Sequence, residues 1–154
     1  MATWAQFMEA EPDMAALGLQ LLHAHNLAYL GTVRADGAPR VHPVAPFIIS
    51  GRLYVSTPAE SPKARDQVRD GRYVMHLLPG KDDDEFVIRG RVAPVTEPAA
   101  KRMLVERGPH WVREDGWIFE YDIDQADTAH WVNVGQPGTY AERRRWRSAA
   151  AGRQ

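Results

Sequence analysis

The spacing of apolar positions changes period along the chain, and the change divides it into a short helical start and a long strand-rich body. Over the first 25 residues, Met14, Leu17, Leu21 and Leu22 recur at helical spacing and give one apolar face. Thr3 and Gln6 stand at capping-box spacing, Pro12 suits the first turn of a second helix, and Asn26 can end it in the left-handed conformation. From Leu27 the period shortens. Residues 27–33 form a short apolar run, and Asp36-Gly37 is a hairpin signal leading into a strand over Arg40–Ile49. Pro43 and Pro46 each remove a ladder donor, so parts of that strand should be edge-like. Ser50-Gly51 turns the chain into an alternating third strand, Arg52–Ser56.

Ser61-Pro62 opens a helix running to about Asp70, with the proline at its first position. Strands are predicted over Arg72–Leu78 and Glu85–Ala93, joined by a loop at 79–83, with Gly90 marking a bulge or a close approach. Glu97–Arg107 reads as a helix ended by Gly108, and Trp117–Ile123 as a half-buried strand. A last strand around Arg144–Arg147 closes the sheet, and residues 149–154 read as a frayed tail. Short strands, tight turns and inserted helices indicate a mainly β protein: a single barrel domain over 1–148, with N-terminal helices over 1–26.

Composition removes several function classes. At 154 residues with a hydrophobic fraction of 44%, the chain fills one core without a staple, and it contains no cysteine for a disulfide or thiolate metal site. A net charge of −1 offers no global field for nucleic acid. The start of the chain has no signal-peptide pattern and no apolar run reaches a membrane-spanning length, so a soluble, cytoplasmic protein is expected. Of the 19 basic residues only three are lysines, which makes Lys63 conspicuous.

The segment Ser56-Thr57-Pro58-Ala59-Glu60-Ser61-Pro62-Lys63-Ala64-Arg65 follows a strand and opens a helix. A helix start presents free N–H groups and the positive end of a dipole, which suits a phosphate. Ser56, Thr57 and Ser61 add hydroxyl donors, and Lys63 and Arg65 add charge. The plainer alternative is that Ser61 is an ordinary N-cap and the cations a solvated helix face. Elsewhere, His23 and His25 cannot share one helix face, and His76 reads as a satisfied, partly buried side chain. Asp82–Glu85 lacks calcium-loop spacing. Trp111, Trp117, Trp131 and Trp146 read by default as core or interface residues, no metal site is expected, and no nucleophile motif supports hydrolysis.

Three stretches in fixed order carry a resemblance: Leu30-Gly31-Thr32-Val33 with Asp36-Gly37 and Pro39; Arg40-Val41-His42-Pro43-Val44; and Leu53-Tyr54-Val55-Ser56-Thr57 with Ser61 and Lys63. Together they resemble the pyridoxamine 5′-phosphate oxidase-like superfamily, the flavin-binding split barrels that include deazaflavin-dependent reductases. The resemblance implies a six-stranded antiparallel split barrel, assembled as a homodimer with a cofactor at each of two interface sites. It implies that Ser56, Thr57, Ser61 and Lys63 hold the phosphate of FMN or the deazaflavin coenzyme F-420. The ring would lie against His42, Pro43 and Val44, with Glu85 as a ring or ribityl contact and Trp131 as an aromatic beside the cofactor. The chain departs from the vitamin B6 oxidases at His42, where they carry arginine, and at Pro62-Lys63, where they carry Arg-Lys. The implied activity is therefore a flavin- or deazaflavin-dependent oxidoreductase acting on a small molecule. The alternative is a non-catalytic binder of flavin, haem or another anionic ligand.

Overall fold

Residues 1–80 and 83–149 are described by the structure, a computed structural model. Lys81 and Asp82 of the 79–83 loop, and residues 150–154 of the expected frayed tail, lie outside the described residues. The chain opens with α1 (Trp4–Ala10) and α2 (Pro12–His25). The capping box forms as the spacing requires: the Gln6 amide donates to Thr3 Oγ1 and the Thr3 amide donates to Gln6 Oε1. Pro12 begins α2, and Asn26 ends it at φ 52°. Trp4 and Phe7 of α1 turn inward against Phe86, and Phe7 also meets Trp146 at 5.1 Å.

Eight strands follow among the described residues. They are β1 (Ala28–Val33), β2 (Pro39–Val44), β3 (Pro46–Ile49), β4 (Arg52–Thr57), β5 (Arg72–Leu77), β6 (Glu85–Pro94), β7 (Trp117–Val132) and β8 (Tyr140–Arg147). Helix α3 (Pro62–Arg69) lies between β4 and β5, and α4 (Pro98–Arg107) between β6 and β7. All pairings are antiparallel, in the order β2-β1-β5-β6-β7-β4-β3, with β8 on β7.

The count is eight, against the six of the implied barrel and the seven strands read from the pattern, and the eighth has a physical cause. The predicted strand Arg40–Ile49 divides at Ala45: β2 pairs with β1, while β3 pairs with β4 at the far end of the path. Hydrogen bonds do not close the ring, but its two end strands are consecutive in the chain. At the other extreme, β7 runs nine residues past the predicted Ile123 to Val132. Asp124 and Asp127 have poor intrinsic strand preference, yet Gln125 to Ala129 are paired with both β6 and β8, and Asp124 is carried along as the unpaired residue at the β6–β7 register shift. Tertiary pairing wins over propensity here.

Turns fell where residue chemistry placed them. Gly37 sits at φ 82° in the β1–β2 connection, and Ser50-Gly51, at φ 50° and 73°, makes the tight β3–β4 hairpin. Gly90 is both of the things predicted. The β6–β7 register shifts between Arg89 and Gly90, and a Cβ on Gly90 would sit 2.1 Å from the Asp122 carbonyl oxygen. The main core gathers Leu30, Val55, Met75, Phe86, Ile88, Phe119 and Ile123 inside the sheet, with α1 and α2 covering it. A second cluster of Phe47, Tyr54, Leu104, Val112 and Ile118 seats α4 on the opposite face of β4.

Candidate functional site

Helix α3 is the element that places the site, and two buried polar residues fix it. The Asp66 carboxylate accepts from Thr32 Oγ1 at 3.1 Å, from Arg40 Nε at 2.7 Å and from Arg69 at 3.4 Å. Thr32 and Arg40 are cross-strand partners in the β1–β2 hairpin, so one carboxylate ties the helix to both strands. Burial opposes ionisation of Asp66, but bonds from Arg40, Thr32 and Arg69 and the Arg40 charge outweigh it and hold its pKa below the ordinary value. On the adjoining turn, Gln67 donates to the Lys63 carbonyl oxygen at 3.1 Å and accepts from the Tyr121 hydroxyl. Sequence reading had missed all of these supports. The hairpin register set by Asp36-Gly37 could have revealed Arg40 opposite Thr32; the contact with Asp66 depends on tertiary packing.

Held in this way, α3 presents Lys63 beside His42. The lysine is half-buried, its ammonium makes no ion pair among the described residues, and burial lowers its pKa. His42, on β2, has its Nε2 sealed from solvent and unpartnered. Burial, then repulsion from Lys63 and Arg40, lower its pKa despite the nearby Asp66, so the imidazole is neutral at neutral pH. Thr57, at the end of β4, is 2% exposed and its Oγ1 also lacks a partner. Ser61 stands at the N-cap of α3 in extended backbone, but its hydroxyl makes no capping bond, so the plain N-cap reading does not account for it. A buried donor or acceptor without a partner costs about 1–3 kcal/mol, so the unpartnered His42 Nε2 next to the unpaired Lys63 suits an anionic, hydrogen-bonding ligand.

The other candidate residues are placed as follows. Ser56 is half-buried on β4, opposite Ile118. Val44 is buried in the core, and Pro43 is exposed on β2, whose second edge is unpaired in the sheet. Arg65, two residues from Lys63, points to a different face of the helix and lines a shallow groove with Val68 and Trp117. Glu85 and Trp131 are not brought to Lys63 within one chain. Glu85 faces Ala129 on β7, and by register it lies three strands across from His42 (through Leu30, Met75 and Ile88) and three residues along β6, a separation of roughly 15–20 Å. Glu85 instead meets Arg143 at 3.6 Å. Trp131 is half-buried nearby on β7, opposite Ala141. His76 is half-buried and hydrogen-bonded to the Leu77 carbonyl at 2.6 Å, as read from its pattern. No cluster of metal-ligating side chains occurs among the described residues.

Residues 18–134 match the family model for pyridoxamine 5′-phosphate oxidase. The chain belongs to that family. A search of curated proteins returns no match. Among solved structures, it resembles a Clostridium acetobutylicum protein related to general stress protein 26 of B. subtilis, of the pyridoxinephosphate oxidase family. That pair gives a TM-score of 0.67 at 10% identity, over 92% of this chain and 98% of the other. It also resembles PhzG from Burkholderia lata, solved in complex with tetrahydrophenazine-1-carboxylic acid (TM-score 0.69, 13% identity, 94% and 87% of the two chains). A third likeness is to a heme binding protein from Mycobacterium smegmatis (TM-score 0.63, 14% identity, 85% and 56%). Identities this low establish the shared fold alone.

A cleft of about 650 Å³ adjoins the Ser56–Lys63 segment. One wall is Ser56 to Glu60, and the other is Trp111, Arg113, Asp115 and Gly116, from the stretch between α4 and β7. Trp111 is 38% exposed, and Arg113 donates to Asp115 through two bonds of 2.8 Å. Sequence reading took Trp111 by default as a core or interface residue and assigned the rest of this stretch no role. No helix among the described residues is long and apolar enough to cross a membrane.

Proposed function

We propose that the protein is a flavin- or deazaflavin-dependent oxidoreductase that works as a homodimer and holds the cofactor phosphate with Ser56, Thr57, Ser61 and Lys63. The observation that carries this reading is the half-buried, carboxylate-free ammonium of Lys63 beside His42, whose Nε2 is buried without a partner. The bound cofactor would supply the hydride chemistry, so the protein's own part is binding, orientation and electrostatics. The Lys63 ammonium, at the positive end of the α3 dipole, would neutralise the phosphate; Pro62 has no N–H, and the Ala64 and Arg65 amides already donate to the Ser61 carbonyl. The unpaired edge of β2 from His42 to Val44 offers backbone groups to the ring, Pro43 contributing a carbonyl but no N–H. Glu85 and Trp131, remote from Lys63 in one chain, would join the site from the second copy.

The test is a fluorescence titration of parent and Lys63→Ala protein with FMN and with coenzyme F-420. Loss of a charge-assisted bond to phosphate is worth about 1.5–3 kcal/mol, so affinity should fall about tenfold to a hundredfold with melting unchanged. Equal affinity in both proteins would remove the phosphate from this segment, and a monomer that binds cofactor by sedimentation would remove the second copy. The structural likeness to a heme binding protein supports a second reading, storage or sensing of an anionic ligand without catalysis. Tight binding without substrate turnover would select it.

A further inference from the structure

Strand β8 pairs, among the described residues, with β7 alone. Its other edge leaves alternate N–H and C=O groups of Tyr140–Arg147 without strand partners, over roughly 25 Å. The same strand carries four arginines and one glutamate. Pleating sorts the arginines between two faces. Trp146 turns inward to Phe7, and Arg144, on that side, is matched by Glu11 at 2.9 Å and Asp13 at 3.6 Å. Arg143, Arg145 and Arg147 point outward in successive rows about 7 Å apart, opposite Ala129, Asp127 and Gln125.

These outward rows are short of carboxylate. Glu85 reaches Arg143 at 3.6 Å, and Asp127 is shared between Arg145 at 2.5 Å and Arg89 at 3.1 Å. Arg147 meets a neutral partner, the Gln125 amide oxygen at 3.2 Å. Four arginines therefore face two carboxylates, a local charge of +2 on a chain whose net charge is −1. A second copy paired edge to edge, β8 against β8, would set arginine against arginine, and like charges across strands repel. A nucleic acid brings phosphates for the arginines, but its phosphodiester backbone has no donor for the free carbonyls of the edge. An extended peptide supplies both backbone donors and acceptors. Carboxylates at every second residue of such a peptide would repeat at the spacing of the arginine rows.

We infer that β8 is a docking edge for an extended acidic segment of another protein, with Asp or Glu at alternate positions, added to the sheet as a further strand. Arg145 and Arg147 bear most on this, because Glu85 and Trp131, proposed to join a second copy's site, lie toward the Arg143 end. The inference does not depend on the cofactor reading.

The test titrates the full chain with a labelled, end-blocked peptide of about seven residues alternating Glu and Thr, read by fluorescence anisotropy at low salt. One control peptide has the same composition with its Glu residues in a single block, and another alternates but is N-methylated along its backbone. The alternating peptide should bind about tenfold more tightly than either, the worth of one or two backbone hydrogen bonds. Arg145→Gln and Arg147→Gln should each weaken it about 1.5-fold to fivefold, the worth of one cross-strand charge pair, with the protein still folded by its melting curve. Hydrogen exchange of the β8 amides that β7 leaves free should slow on binding. Equal affinity for either control would mean diffuse charge attraction instead of an added strand and would overturn the inference. So would affinity indifferent to both arginines, or a single-stranded oligonucleotide that binds more tightly and protects the same amides. No binding of the alternating peptide would leave the arginines as guards of a free edge against self-pairing, and would overturn it as well.

Discussion

Replacing Asp66 by alanine tests whether the site is built by its support rather than by the segment that touches ligand. The side chain is 5% exposed and accepts from three residues on three elements. Removing it leaves the Arg40 guanidinium, 28% exposed, facing a hole, and strips Thr32 Oγ1 of its acceptor. Breaking a fully buried ion pair costs about 3–5 kcal/mol. Arg40 and Arg69 keep water access at 28% and 41%, so solvent screening lowers the expected loss to about 2–3 kcal/mol. For a domain of this size that is a fall in Tm of roughly 5–10 °C. Urea unfolding at pH 7 reads it directly. The change should be strongly non-additive with Arg40→Leu, with a coupling of at least about 1 kcal/mol, because the two side chains share one interaction. The pH dependence has a definite sign. A carboxyl held below its ordinary pKa contributes stability that is present above about pH 4 and lost as pH falls through the lower, folded value. Asp66→Ala should flatten that acid limb. A loss under about 0.5 kcal/mol, or simple additivity with Arg40→Leu, would refute the anchoring role.

Gly90→Ala should cost at least about 2 kcal/mol by urea unfolding, because its Cβ would meet backbone, Asp122 O at 2.1 Å and Asp124 N at 2.9 Å, which cannot swing aside. A change near zero would mean that the bulge relaxes freely. Cofactor affinity should stay flat between about pH 6.5 and 8, because His42, its pKa already lowered, has no charge to lose across that range. A parent affinity that collapses there, with His42→Ala showing no such dependence, would make the imidazolium the phosphate ligand. The same lowered pKa makes the unfolded chain the better proton acceptor below about pH 6.5, so His42 should erode stability as pH falls through that value, and His42→Ala should remove this erosion.

What could be read from the sequence was what neighbouring residues decide among themselves. The capping box at Thr3 and Gln6, the left-handed Asn26 and the turns at Gly37 and Ser50-Gly51 depend on a few adjacent residues, and all appear where expected. So does the start of α3 at Pro62. The ordered stretches from Leu30 to Lys63 indicated the family because a hairpin, a strand and a helix start must follow one another at fixed spacing. What escaped is decided at a distance. Ala45 looks like any strand residue, and it divides two strands only because β2 and β3 find different partners. Gln125 to Asp127 look like loop until β6 and β8 pair with them.

The site divides along the same line. Ser61 and Lys63 were visible because a helix start advertises its own chemistry. Asp66 and Gln67, which aim that helix, are a charged and a polar residue on a short helix, and nothing local distinguishes them from a solvated face. Their burial at 3% and 1% is a property of the packed molecule. A buried carboxylate costs free energy unless it is bonded, so its place under α3 requires the hairpin arginine and threonine to reach it. The position of Lys63 is therefore set from β1 and β2, and mutations far in sequence from the proposed phosphate segment should disturb the proposed binding as surely as mutations within it.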